Sequence, residues 1–251
     1  MKKIYIFISI FIISILLSPI LGKYLIKEIL EKKIALLSSK NFILKKSITD
    51  SSYLNTKQKY QFLYNKANQE ILFEIDIRYS NLLFNKLISA DIYPISLAKK
   101  IMPYKALLIH LKYNVVTQIF NGYAKDIKQI YNFKDGNQIS LILKNALFNG
   151  KGKLDNPDIF HSSIEEFSLK NITLNNKNLG NLQLKSKLIF EKKLSTNTEV
   201  KLSKKLFKEI KKAFPLLYII KFYAKNIGDN YFFHIKFKDK KFTINGKSLH
   251  L

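Results

Sequence analysis

The chain has 251 residues, 47% of them hydrophobic, so it can bury a sizeable core and is not a disordered polymer. It carries 43 Lys and Arg against 18 Asp and Glu, a net +25; Arg78 is the sole arginine, and with abundant Ile and Asn the lysine bias reads as AT-rich coding as much as selection for a polyanion. The absence of cysteine excludes disulfides, thiolate metal sites, cysteine nucleophiles and the acylated cysteine of a lipoprotein.

The first expected element is a membrane anchor over residues 1–22. Lys2 and Lys3 precede an uncharged run from Ile4 to Gly22, which as a helix spans about 28 Å, the thickness of a bilayer's hydrocarbon. Ile4, Phe7, Ile10, Phe11, Ile13, Leu16, Leu17 and Ile20 are its lipid-facing residues. The run is longer than a secretory h-region, and Ile20-Leu21-Gly22 is a poor cleavage site, so the anchor is expected to be retained. Lys23, Lys27, Lys32 and Lys33 follow the span while Lys2, Lys3 and the terminal amine precede it. Strict counting of these charges favours a cytoplasmic body, whereas the short tail and signal-like shape favour a translocated one. The translocated body is the expectation adopted.

Residues 23–39 read as a stalk helix continuing the anchor, with Ile26, Leu30, Ile34 and Leu37 on one stripe and a kink at Pro19. Residues 40–251 form one β-rich body domain. In Ile71–Tyr79, Ile71, Phe73, Ile75, Ile77 and Tyr79 face one way and Glu74, Asp76 and Arg78 the other; Lys105–Tyr113 and Leu182–Phe190 alternate likewise. Asn121-Gly122, Asp135-Gly136-Asn137, Asn149-Gly150-Lys151-Gly152, Asn156-Pro157-Asp158 and Asn175-Asn176 are the expected turns. Two late helices follow: Ser203–Ala213, with Ser203 as N-cap, and Leu216–Asn226, opened by Pro215 and closed by Gly228. A hairpin ends the chain, Tyr231–Lys238 and Lys241–Asn245 about an Asp239-Lys240 turn. The expected class is α+β, mainly β: an N-terminal transmembrane helix and stalk, a long antiparallel sheet, two late helices and a C-terminal hairpin.

No motif carries catalysis, a metal or a cofactor. His110, His161, His234 and His250 lie in separate segments without metal-ligand spacing. Glu165 and Glu166 are adjacent, so in a strand they face opposite sides, and they read as an exposed sheet edge. Gly150-Lys151-Gly152 lacks phosphate-loop spacing, no G-x-S-x-G is present, and Asp50 stands where an S-x-x-K from Ser47 needs lysine. Of the net +25, +10 falls in residues 201–251. Lys204, Lys205, Lys208, Lys211 and Lys212 could lie on an anionic membrane, each contributing about 1 kcal/mol. The same lysines could equally solvate the outer face of a packed helix, and that weighs more because packing needs the apolar stripe in either case. A single arginine and no RNP-type motif argue against a nucleic-acid partner.

The end of the chain, from Tyr231-Phe232-Phe233-His234-Ile235 through Asp239-Lys240 to Asn245-Gly246-Lys247, resembles the closing hairpin of the YdgA-like family of bacterial envelope proteins. The order of parts resembles that family too: basic tail, anchor, stalk, β-rich body, two late helices, hairpin. Thr49-Asp50-Ser51-Ser52-Tyr53 departs from the family's glycine-containing turn, and Lys240 stands where the family has glycine after Asp239. The resemblance implies a single-pass inner-membrane protein with a periplasmic body, and it brings no catalytic residues.

The expected function is therefore a non-enzymatic, membrane-anchored envelope protein, because a long half-apolar sheet with few helices to cover it calls for lipid, a second sheet or an envelope partner. Two alternatives stay open. One is an envelope enzyme with a dispersed site, for which Asp50, Asp76, Glu74 and His110 are the candidates; the other is a basic, cytoplasm-facing domain binding nucleic acid or anionic lipid.

Overall fold

The computed structural model describes residues 17–32, 34–35, 42–66, 69–82, 87–94, 108–132, 138–153, 156–174, 177–213 and 217–248. The chain divides into two compact units, Met1–Ile119 and Phe120–Leu251. Both are built mainly of antiparallel β-strands.

The first unit is a meander of β1 (Phe42–Ser51), β2 (Asn55–Lys66), β3 (Gln69–Ser80), β4 (Leu87–Pro94) and β5 (Ile109–Asn114), each antiparallel to the next. The alternation read in Ile71–Tyr79 places Ile77 and Tyr79 on one face, where they join Tyr60, Phe62, Ile88 and Ala90 in a buried cluster. The other face carries the charged residues of the same strands.

A helix over residues 17–32 covers the apolar face. It runs unbroken through Pro19 and across the expected anchor–stalk boundary at residue 22. Instead of standing free as a stalk, it buries Ile26 and Leu30 in the cluster with Tyr60 and Phe62. Each such aliphatic side chain contributes about 1.5–3 kcal/mol on burial, more than an exposed stalk could gain by leaving them in water. Among the described residues no helix is long and apolar enough to cross a membrane. Ile4, Phe7, Ile10, Phe11, Ile13 and Leu16 lie outside the described residues; Leu17 and Ile20 are exposed on the helix.

The second unit runs β6 (Ile119–Ala124), β8 (Gln138–Lys153), β9 (Asn156–Leu174), β10 (Lys177–Phe190), β11 (Leu194–Ser203), β13 (Asn230–Lys238), β14 (Lys241–Ile244) and β15 (Lys247–Ser248) in spatial order. Strand β7 (Ile127–Asn132) also pairs with β8, and β12 (Lys225–Ile227) with β13. The expected Asp239-Lys240 turn is present, with both residues at positive φ, 51° and 63°. Such a turn joins strands with their natural twist. Asn245-Gly246, also at positive φ, then turns the chain once more into β15.

Several expected turns are strand instead. Asn121-Gly122 lies within β6, Asn149 to Gly152 within β8 and Asn156-Pro157-Asp158 within β9. Long cross-strand pairing outweighs the local turn preference of these residues, as it does for propensity in general. Asp135-Gly136-Asn137 and Asn175-Asn176 lie outside the described residues. Glu165-Glu166 is not at an edge, because β9 lies between β8 and β10.

The late helices are Lys204–Ala213 and the shorter Leu217–Lys221. Ser203 does not cap the first one; its hydroxyl accepts from the Asn181 N–H at 2.7 Å. The second is one turn and ends in tight turns at Phe222 and Tyr223 rather than reaching Asn226. Gly228, at φ 55°, sits in the turn between β12 and β13.

Candidate functional site

Cross-strand pairing assembles an apolar face on the second unit. Leu143 opposes Phe167, and Phe167 opposes Leu184, which opposes Val200 and in turn Phe233. A second row runs Gly150, Phe160, Phe190 and Leu194. Between them lie Ala146, Ile164 and Ser186. Paired residues project to the same side, so these rows form one surface.

Keeping that surface apolar requires bulges. In β9 the apolar residues between Ser163 and Thr173 are Ile164, Phe167, Leu169 and Ile172, a spacing that pure alternation would split between two faces. Register shifts opposite Leu184/Ser186 and opposite Gly180/Leu182 absorb the extra residues. Asn171 and Gly180 take positive φ, 55° and 99°, at the second of these shifts, and Asn145 of the neighbouring strand β8 takes 48° across from Glu165. Asn145 is held there by Asp126, which accepts its N–H at 2.9 Å, and by a hydrogen bond from its amide to Glu165.

The lysine-rich helix closes one end of the face. Leu206 and Phe207 are buried with Leu202, Phe233 and Ile244, and Ile172, Leu182 and Val200 pack against them. Phe207 stacks on Phe233 at 6.1 Å and meets Tyr231 edge-on at 5.0 Å. Beyond this cluster Phe148, Phe160, Phe167, Leu184, Leu188 and Phe190 are only half-buried. Phe120 of β6, itself buried, stacks on Phe160 at 6.2 Å and lies against Gly150 at one end of that stretch.

The five lysines divide by environment. Lys205, Lys208 and Lys212 are exposed, and Lys212 pairs with Glu209 at 2.6 Å. Lys204 and Lys211 are half-buried, their ammonium groups over the rings of Tyr231 (5.7 Å) and Tyr218 (4.9 Å). Beside them Tyr218, Ile219 and Phe222 are exposed, so lysine and apolar side chains alternate on one surface.

The first unit holds a charged ladder on the face opposite its core. Lys59, Asp76, Asp91 and His110 oppose one another across β2, β3, β4 and β5. Asp91 accepts from Arg78 Nη2 at 3.1 Å and lies 2.6 Å from His110 Nδ1. Lys59 Nζ is 3.2 Å from Glu74 Oε1 and 3.8 Å from Asp76, and Gln61 donates to Glu74 at 3.2 Å. Asp76 directly opposite Asp91 would repel, and the flanking Lys59 and Arg78 offset that repulsion. The structure thus brings together Asp76, Glu74 and His110, which sequence spacing gave no reason to group, and adds Asp91. Asp50 pairs across strands with Lys57, a different position on the sheet.

Each of these carboxylates faces a cation or amide, and Glu74 does so while wholly buried, at 1% exposure. No group of three or more His, Asp or Glu side chains among the described residues is placed to hold a metal ion. His161 meets Glu191 at 3.0 Å and His234 meets Asn197, both on the second unit; His250 lies outside the described residues. Compared with family models, with curated proteins and with solved structures, the chain matches none.

Proposed function

We propose that the chain is a non-enzymatic protein of the bacterial inner membrane, tethered by residues 4–22 with its body in the periplasm, and that the apolar face of its second unit binds lipid acyl chains. The observation that carries this reading is the half-buried stretch Phe148, Phe160, Phe167, Leu184, Leu188 and Phe190, which continues the same face past the buried cluster under the lysine-rich helix. Apolar surface of that extent costs free energy in water, at about 25 cal/mol per Å², and calls for an occupant. The lysines and exposed aromatics at the closed end suit an anionic headgroup region. The resemblance of the closing hairpin to YdgA-like envelope proteins supports the same location.

The test is lipid extraction from the full chain purified in mild detergent, alongside binding of a fluorescent acyl probe. Bound lipid is expected, and Leu184→Glu, which puts a carboxylate in the middle of the face, should weaken probe binding at least about tenfold. A protein that carries no lipid and binds no probe overturns the acyl-chain reading; one that instead retains a single envelope protein at this face through the detergent step replaces lipid by that partner.

A further inference from the structure

The first unit places a specific end of its sheet beside the helix that the sequence reads as the continuation of the anchor. Gly22 sits on the Asn81 backbone so closely that a Cβ there would collide with the Asn81 carbonyl oxygen. Asn81 is itself the clamp of the β1–β2 turn. Its amide donates to the carbonyls of Ser52 (2.9 Å) and Tyr53 (3.1 Å), its N–H donates to Leu54 (2.7 Å), and its Oδ1 accepts from Thr56 (2.8 Å). Helix and turn are therefore coupled through one wholly buried residue.

At this end large apolar side chains are exposed among Ser51, Ser52 and Asn55. Tyr53 and Leu54 at the turn are 54% and 48% exposed, and on the helix Leu17, Ile20, Leu21 and Tyr24 are exposed as well. Further along the helix Lys27, Glu28, Glu31 and Lys32, joined by i,i+4 ion pairs, are exposed together with Leu25 and Ile29. Along this helix charged side chains begin at Lys23, and Tyr24 lies beside it, as basic and aromatic residues do where a helix leaves the hydrocarbon. The uncharged run from Ile4 enters the helix at the apolar end.

We infer that the β1–β2 turn is a second membrane contact: Tyr53 and Leu54 enter the lipid headgroup region beside the emerging helix, holding the first unit against the bilayer surface with no stalk between them. This rests on the anchored reading above and adds to it which end of the sheet meets lipid. The partner is the bilayer that the uncharged run enters ahead of Leu17, since Ser18 and Gly22 are already buried against the first unit.

The chain has no tryptophan, so a single introduced one reports its own surroundings. Tyr53→Trp, Tyr64→Trp and Phe11→Trp are each made in the full chain and reconstituted in phosphatidylcholine bilayers brominated along the acyl chains. Tyr64, on the same strand as the turn but near its far end, is the position expected in water. Quenching of about twofold or more is expected at positions 53 and 11 and little at 64. Quenching at 11 without quenching at 53 overturns the second contact and leaves the anchor standing. Quenching at neither removes the anchored reading and the contact together. Equal quenching at 53 and 64 overturns the assignment of one end to the membrane. A further variant, Tyr53→Asp with Leu54→Asp, leaves the clamp at Asn81 in place; it should lift the first unit and expose it to protease added outside the bilayer, while far-ultraviolet circular dichroism stays unchanged.

Discussion

Two asparagines serve as clamps. Asn81 ties the β1–β2 turn, and Asn245, at φ 51°, donates to the carbonyls of Tyr223 (2.7 Å) and Phe232 (3.0 Å) while accepting from the His234 N–H (2.9 Å). Removing either amide leaves buried backbone carbonyls without their donor. Asn81→Ala and Asn245→Ala should each lower unfolding stability by about 1–3 kcal/mol in chemical denaturation, with Asn245→Gly milder because glycine accepts the positive φ. Tyrosines supply the pH dependence. Burial pushes the Tyr60 hydroxyl up to about 12, with Tyr79 and Glu31 adding to it, and burial raises Tyr79 and Tyr131 as well. The folded state holds these protons more tightly than the unfolded chain, so their contribution is complete below about pH 10 and is lost as pH rises toward 12. Alkaline unfolding is expected in that window, and Tyr60→Phe should shift its midpoint upward. An unchanged midpoint would remove Tyr60 as its source. At the acid end, the hydrogen bond from Lys144 holds the Glu166 carboxyl below its ordinary value, but this pair is largely solvated and little stability should depend on it.

At the scale of elements, the bulges decide whether β9 has an apolar face. Gly180 lies opposite Ile172 at the shift, and a Cβ there would collide with the Ser203 side chain. Gly180→Ala combines that collision with a strained φ and should cost about 1–3 kcal/mol, read as a lowered denaturation midpoint. The lysine-rich helix is held by its apolar stripe rather than by its charges. Phe207→Ala should cost about 3–5 kcal/mol, whereas replacing exposed Lys205 and Lys208 by Gln should leave stability within about 0.5 kcal/mol. If the lysine pair proved as costly as Phe207, the charge would be structural. The N-terminal helix follows the same rule: its docked stripe holds it to the sheet, and its ion pairs lie on the exposed side.

For the whole molecule, the anchored, periplasmic reading predicts that a reporter active only in the periplasm works when fused after Leu251, and that mass measurement finds residues 1–22 retained. A cytoplasmic reporter signal would reverse the orientation and move attention to the basic C-terminal end. Much of the architecture was legible in the sequence. Ile71–Tyr79 and Leu182–Phe190 alternate cleanly and are strands in the structure, and the Asp239-Lys240 turn stands where the sequence placed it. The candidate sites were less legible. The ladder of Asp76, Asp91 and His110 comes from three strands, and no spacing along the chain predicts which residues will be opposite one another.

The sequence by itself determined the class of structure, because alternation with period two and a lysine-bearing stripe with period 3.6 are local properties that survive any arrangement of the elements. It also determined the apolar run at residues 4–22, since that depends on composition alone. Tertiary structure decided the rest. Asn-Gly and Asn-Pro pairs became strand where long neighbours offered cross-strand pairing, and the irregular spacing of β9 became one face only because its register shifts against β10 absorb the extra residues. The helix expected to be a stalk lies on the first unit's sheet because Ile26 and Leu30 find there a buried surface made by residues 30 to 60 positions away, a partnership that no window along the chain contains.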